Sequence, residues 1–115
     1  MISETPLNRE VLSELRELLA ENFNELIDRY LLDSKTRFAI LERAIASSDC
    51  KTIQYEAHGI KGSSRNMGAN QLANILEKIE HLGQDSQPQD VAALLVHAQA
   101  EYARVVSDLA QFRAD

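Results

Sequence analysis

Hydrophobic residues recur about every 3.6 positions along almost the whole chain, and no segment shows a convincing alternation of apolar and polar residues. This periodicity predicts an all-α protein. Prolines, glycines and small polar residues divide the pattern into one short and four long helical segments, whose short connections favour antiparallel neighbours. The sequence therefore predicts an up-and-down antiparallel four-helix bundle with a short extra N-terminal helix, formed by a single domain over residues 1–115.

The apolar stripe on each segment indicates the face that should be buried. The first segment follows Thr5-Pro6 and carries Leu7, Val11, Leu15 and Leu18. The second is interrupted by the polar Ser34 and carries Phe23, Ile27, Leu31, Phe38, Leu41 and Ile45. The third is capped by Ser48 or Asp49, ends at Gly68 and carries Ile53, Ala57, Ile60, Ser64 and Met67. From this buried stripe, Ser64 is expected to bond its own helix backbone.

The last two segments are separated by a predicted loop of Gly83 and residues 85–88, after which proline starts the final helix. The fourth segment carries Leu72, Ile75, Leu76, Ile79 and Leu82. The fifth carries Val91, Leu94, Leu95, Ala98, Tyr102, Val105, Leu109 and Phe112.

Composition narrows the possible functions. Hydrophobic residues make up 44% and charged residues 26% of the chain, as in an ordinary globular protein. Twelve basic and eighteen acidic residues give a net charge of -6, which disfavours nucleic acid and anionic lipid as partners. The longest apolar run, 91–96, is far shorter than a membrane span, and no signal sequence is evident, so we expect a cytoplasmic protein. A self-contained bundle with one exposed site favours a monomer.

A polar stripe on the third segment surrounds a histidine. His58 lies off the apolar stripe and shares a different face with Lys51, Gln54, Lys61, Gly62 and Arg65. The histidine should therefore face solvent. Because a glycine inside a helix costs roughly 1 kcal/mol relative to alanine, two glycines beside His58 suggest that another macromolecule approaches the backbone there.

Simple hairpin geometry predicts acidic partners for this stripe. If the third and fourth helices turn at Gly68-Ala69, residues equally far from the turn should lie at similar heights. His58 lies eleven residues before Ala69 and Glu80 eleven after it, whereas Lys61 and Glu77 each lie eight residues away. The expected pairs are His58 with Glu80 and Lys61 with Glu77. Glu80 also flanks the apolar face of its helix, so it is the better placed acceptor for the imidazole.

These residue types suit phosphoryl transfer. An imidazole whose Nδ1 donates to a carboxylate presents a lone pair on Nε2, and Lys61 offers a mobile cation for anionic oxygens. The sequence has no Gly-rich phosphate loop or Walker motif, so the phosphoryl donor and acceptor should be other proteins. A di-metal bundle site is disfavoured because His81 follows Glu77 by four residues and Glu80 by one, which is not the Glu-x-x-His spacing. His81 and His97 are expected at the surface.

The run from His58 to Ser64, followed by Asn66, Gly68 and Ala69, resembles the signature of histidine-containing phosphotransfer (HPt) domains of multistep phosphorelays. The resemblance implies that His58 is phosphorylated on Nε2, that Lys61 neutralises the phosphoryl oxygens, and that Glu80 orients His58. Gly62 would leave room for a receiver domain. The remaining docking residues are expected to be Arg65, Gln54, Lys51 and Ser63. One departure is Gly59, where the family more often has a side chain, and it is expected to loosen the helix near His58.

The resemblance also implies the partners. The phosphoryl group would come from a receiver aspartate of a hybrid sensor kinase and pass to the receiver domain of a response regulator. Receiver domains carry the Mg²⁺, so the chain itself should need no metal, nucleotide or other cofactor, and it would be a phosphotransfer protein rather than an enzyme. The alternative is a non-catalytic helical adaptor whose basic patch of Lys51, Lys61 and Arg65 docks an acidic partner.

Overall fold

The computed structural model describes residues 5–85 and 88–113, and over these residues it is built from helices joined by short turns. The α-helices are α1 (Arg9–Leu19), α2 (Phe23–Ala46), α3 (Cys50–Asn66), α4 (Asn70–Gln84) and α5 (Val91–Phe112). Short 3₁₀ turns at Ala20–Asn22 and Pro88–Asp90 precede α2 and α5. Of the predicted loop before α5, residues 86 and 87 lie outside the described residues.

The predicted four-helix bundle with a short N-terminal helix is confirmed. Helix α3 packs between α2 and α4, and α5 closes the bundle by packing on α4 and α2. The buried stripe of α3 contains all five of its predicted residues, from Ile53 to Met67. Within the described residues, no helix is both long and apolar enough to cross a membrane.

Helix α1 lies across the end of the bundle where α3 turns into α4 and where α5 ends. Asn8 caps α1 by accepting hydrogen bonds from the backbone N–H groups of Glu10 and Val11, and its own N–H donates to the carbonyl of Gly68 at 2.9 Å. Gly68 has a φ of 80°, which suits glycine and allows the chain to reverse. One contact thus joins the cap of α1 to the α3–α4 turn.

Two details of the predicted helices are wrong. Leu18 is 80% exposed, and the buried residue of α1 is Leu12. The leucines of this short helix lie on neighbouring faces, so periodicity alone does not select the one that packs. Gly83 lies within α4 rather than in the following loop, because it is buried where α4 approaches α3 and a Cβ there would lie 3.1 Å from the backbone nitrogen of Gln54.

Hydroxyl groups link α2 to its neighbours inside the bundle. The Oγ of Ser34 lies 2.7 Å from the hydroxyl of Tyr102 on α5 and donates to the carbonyl of Tyr30. The phenol of Tyr30 lies 2.7 Å from the Oγ of Ser64 on α3. Ser64 therefore pairs across the core, and the expected bond to its own backbone is replaced by a tertiary contact. Burial raises the pKa of Tyr30 above its ordinary value, so the phenol keeps its proton.

Removing the hydroxyl of Ser64 should destabilise the bundle. Ser64→Ala leaves the buried phenol of Tyr30 without this partner, which should lower the free energy of unfolding by about 1–2 kcal/mol in urea titrations. Ser63→Ala is the matched control, because Ser63 donates to the carbonyls of Gly59 and Ile60 in its own helix. We expect the control to change stability by less than about 0.5 kcal/mol. Equal losses in the two variants would contradict the tertiary role.

Candidate functional site

The imidazole of His58 stands on the outer face of α3. Its side chain is 66% exposed, while the neighbouring Ala57 and Ile60 are fully buried in the core. This arrangement follows from the helical period, because the residues that anchor α3 fix the direction in which His58 points. The predicted exposure of His58 is confirmed.

A carboxylate on α4 orients the ring. The Nδ1 of His58 lies 2.9 Å from the Oε2 of Glu80, whose side chain is only 13% exposed. An ionised carboxylate only accepts hydrogen bonds, so Nδ1 must carry the proton in this contact. The neutral ring then has its lone pair on Nε2. The structure thus brings together His58 and Glu80 as predicted from the hairpin.

Lys61 is held by the same carboxylate. Its Nζ lies 2.6 Å from the Oε1 of Glu80 and 3.9 Å from the Oε1 of Glu77. The predicted pairing with Glu77 is therefore only the longer contact, because the flexible lysine side chain reaches one turn further along α4. The Lys61 side chain is only 13% exposed, so in this arrangement its charge is directed at Glu80 rather than at solvent.

The two donors determine the ionisation of Glu80. Burial alone would raise the pKa of Glu80, but hydrogen bonds from Lys61 and His58 and the charge of Lys61 outweigh it and hold this pKa below its ordinary value. The carboxylate is therefore ionised at neutral pH and able to accept from both partners.

An open groove of about 420 Å³ lies beside the histidine. Its lining residues are Lys51, Gln54, Tyr55, His58 and Glu80. Lys51 and Gln54 were predicted to share this surface with His58, and the structure brings them together. Sequence analysis missed Tyr55, although an aromatic residue three positions before the histidine could have indicated a contact for a partner.

The other predicted docking residues lie further along α3 and do not line this groove. Gly62 is exposed, and a Cβ added to it would have no atom within 4 Å, so the surface above it is open. Arg65 is exposed one turn later, and Ser63 is half-buried with its hydroxyl on its own helix. His81 and His97 are exposed, as predicted.

A contact from α2 was also missed. The guanidinium of Arg37 occupies the space beside Gly59, where a Cβ would lie 2.5 Å from its Nη1. Gly59 was expected to loosen α3 near His58. The structure adds a further consequence of this glycine, because the absence of its side chain admits a group from the neighbouring helix.

Comparisons with known proteins agree with this geometry. The family model described as "Hpt domain" matches residues 8–114. The crystal structure of histidine-containing phosphotransfer protein B (HptB) from Pseudomonas aeruginosa PAO1 is 32% identical, superposes with a TM-score of 0.91, and is matched over 96% of each chain. A search of curated proteins gives no match. The chain belongs to the Hpt domain family. It has a histidine phosphotransfer role in a phosphorelay, and its partners are components of two-component signalling.

The acid stability of the protein should depend on Glu80. Because the folded-state pKa of Glu80 lies below its ordinary value of 4.5, its carboxylate stabilises the fold above that pH, and this contribution is lost as the pH falls through the lowered pKa. Urea unfolding of the wild type and of Glu80→Gln, compared from about pH 5 to about pH 3, should show the wild-type advantage shrinking in acid. A difference that stays constant, or that grows in acid, would contradict this role.

Proposed function

We propose that His58 is the phosphoacceptor of this chain, taking a phosphoryl group from a receiver-domain aspartate of a hybrid sensor kinase and passing it to the receiver aspartate of a response regulator. The observation that carries the proposal is the bond between Nδ1 of His58 and Glu80 in a side chain that is otherwise exposed. This bond leaves Nε2 unprotonated and accessible. A ring buried in the core would fit a structural role instead.

The transfer step uses this arrangement directly. The Nε2 lone pair of His58 attacks the phosphorus of the aspartyl phosphate, the P–O bond to the receiver breaks, and the receiver carboxylate leaves with the bonding electrons. The ring becomes a cation, and the ionised Glu80 stabilises its Nδ1 proton. In the second half of the relay, a receiver carboxylate attacks the phosphorus and the P–N bond breaks, which restores the neutral ring.

Three further residues have supporting roles in this proposal. Lys61 turns from Glu80 toward the phosphoryl oxygens when they arrive and neutralises part of their charge. The open surface at Gly62 lets a receiver approach α3, and Arg65 extends this surface. In this proposal the Mg²⁺ belongs to the receiver, and transfer requires neither a metal site nor an ATP site on this chain. A non-catalytic adaptor would not require the orientation of the imidazole by Glu80, so that contact favours phosphotransfer.

Replacing His58 should abolish phosphorylation. Incubation with a receiver domain phosphorylated by acetyl phosphate in Mg²⁺ should label the wild type with acid-labile, alkali-stable phosphate, and His58→Gln should remain unlabelled. His81→Gln is the matched control, because His81 is an exposed histidine on α4, and it should label as the wild type does. Labelling of His58→Gln, or loss of label in the control alone, would contradict the assignment. Receiver binding without any label on the wild type would favour the adaptor.

Removing the charge of Lys61 should slow transfer without unfolding the bundle. We expect Lys61→Ala to lower the transfer rate on the order of tenfold to a hundredfold. Removing a hydrogen-bond donor from a closed active site has a larger effect, because in an open site water also screens the charge of the phosphoryl group. Rapid-quench measurements and urea unfolding should be made on the same samples. Lys78→Ala, which removes an exposed lysine from α4, should transfer at the wild-type rate. A native-like Lys61→Ala that transfers at full rate would exclude the role.

A further inference from the structure

Arg37 on α2 reaches across to α3 and lies against the backbone next to His58. A Cβ on Gly59 would lie 2.5 Å from Nη1 and 2.7 Å from Cζ of this arginine, distances that real side chains do not tolerate. The guanidinium therefore keeps this position only because residue 59 is glycine. The contact between Arg37 and Gly59 therefore joins the residue after His58 to α2.

Two carboxylates fix the orientation of the guanidinium. Its Nη1 donates to the Oε1 of Glu56 and its Nε donates to the Oδ2 of Asp33, both at 3.0 Å. Glu56 is buried on α3, whereas Asp33 lies one turn before Arg37 on α2. Since the donors of a guanidinium lie in one rigid plane, two such bonds restrict both its place and its tilt.

The same guanidinium contacts the exposed aromatic ring that lines the histidine groove. The Cζ of Arg37 lies 5.8 Å from the centroid of Tyr55, within the range of a cation–π contact. Tyr55 is 67% exposed and shares the groove with His58 and Glu80. A tyrosine loses few side-chain rotations on binding and buries a large area, so a ring already held in place is well suited to contact a protein partner.

We propose that Arg37 is a positioning residue for receiver recognition. Its guanidinium packs over Gly59 and holds Tyr55 in place as a contact for the receiver domain that docks on His58. The inference rests on the proposed function of His58. The occupant is a receiver domain because the groove is continuous with the imidazole that must meet the aspartyl phosphate and because the chain belongs to a phosphorelay family. Arg37 itself touches no reacting atom.

This role has a specific kinetic signature. Holding a contact residue in its bound position lowers the cost of association and leaves the chemistry of the imidazole unchanged. Loss of the contact should therefore raise the receiver concentration that gives half-maximal transfer. It should leave unchanged both the maximal transfer rate and the direct phosphorylation of His58 by phosphoramidate, a small donor that needs no docking surface.

The experiment measures transfer from a receiver domain of a two-component system of the same organism, phosphorylated with acetyl phosphate in Mg²⁺, over a range of receiver concentrations. Tyr55→Ala should raise the half-saturating concentration about five- to tenfold, whereas Tyr55→Phe, which keeps the ring, should stay within about twofold of the wild type. Arg37→Gln should raise it about three- to fivefold, because the ring remains but is no longer held.

Gly59→Ala tests the geometry without removing any charged group. Its Cβ should displace the guanidinium from Gly59 and raise the half-saturating concentration, by no more than Arg37→Gln does, although alanine is the better helix former. The double variant Arg37→Gln/Gly59→Ala should have the same half-saturating concentration as Arg37→Gln alone, because both substitutions disrupt the same contact. Gly59→Ala also keeps the test valid if Arg37→Gln, which leaves Glu56 without its partner, does not fold.

Matched controls separate docking from general damage. Arg43→Gln removes an exposed arginine from α2, and Val96→Ala truncates an exposed apolar residue on α5; both should behave as the wild type. The inference is overturned if Tyr55→Ala leaves the half-saturating concentration unchanged, or if Arg37→Gln and Gly59→Ala both do. It is also overturned if these variants slow phosphoramidate labelling as strongly as receiver transfer. In either case labelling that is still lost in His58→Gln shows that the proposed function stands. Labelling that persists in His58→Gln overturns both.

Discussion

The carboxylate of Glu80 is the contact on which the site depends, because both of its oxygens are engaged by side chains from α3. One oxygen lies 2.9 Å from Nδ1 of His58 and the other 2.6 Å from Nζ of Lys61. The two contacts hold the carboxylate ionised, and the ionised carboxylate in turn decides which nitrogen of the imidazole carries the proton. Without this group, His58 would be an exposed histidine with no preferred orientation, and Lys61 would be free of its resting partner.

Packing of the bundle determines where His58, Lys61 and Glu80 lie along their helices and in which direction their side chains point. The core residues of α3 and α4 bring the two helices together, and the turn at Gly68, joined to the cap of α1 by the bond from Asn8, fixes their register. Helix α3 therefore has two separate tasks. Its apolar stripe anchors it in the core, while its polar stripe presents the imidazole to partners. The contact of Arg37 with Gly59 adds a second support from α2 on the other side of the histidine.

Sequence reasoning predicted the parts of this arrangement that depend on periodicity. The helical class, the buried stripe of α3 and the pairing of His58 with Glu80 all follow from residue spacing and a hairpin turn. The shorter contact of Lys61 with Glu80 did not follow, because a long side chain reaches beyond the residue at its own height. Arg37 was missed for a different reason: it is 22 residues from Gly59, and periodicity along one helix does not show which residue of another helix fills a gap. In α1, periodicity did not show which leucine packs, and Leu18 is exposed whereas Leu12 is buried.

The protonation and phosphorylation state of the His58 ring tests the central claim most directly. Long-range ¹H–¹⁵N correlation spectra of the neutral ring should show the proton on Nδ1 and a bare Nε2, and spectra after phosphorylation should place the phosphorus on Nε2 with Nδ1 still protonated. A neutral ring that carries its proton on Nε2, or a phosphoryl group bonded to Nδ1, would contradict the account of Glu80 as the group that presents His58 for transfer.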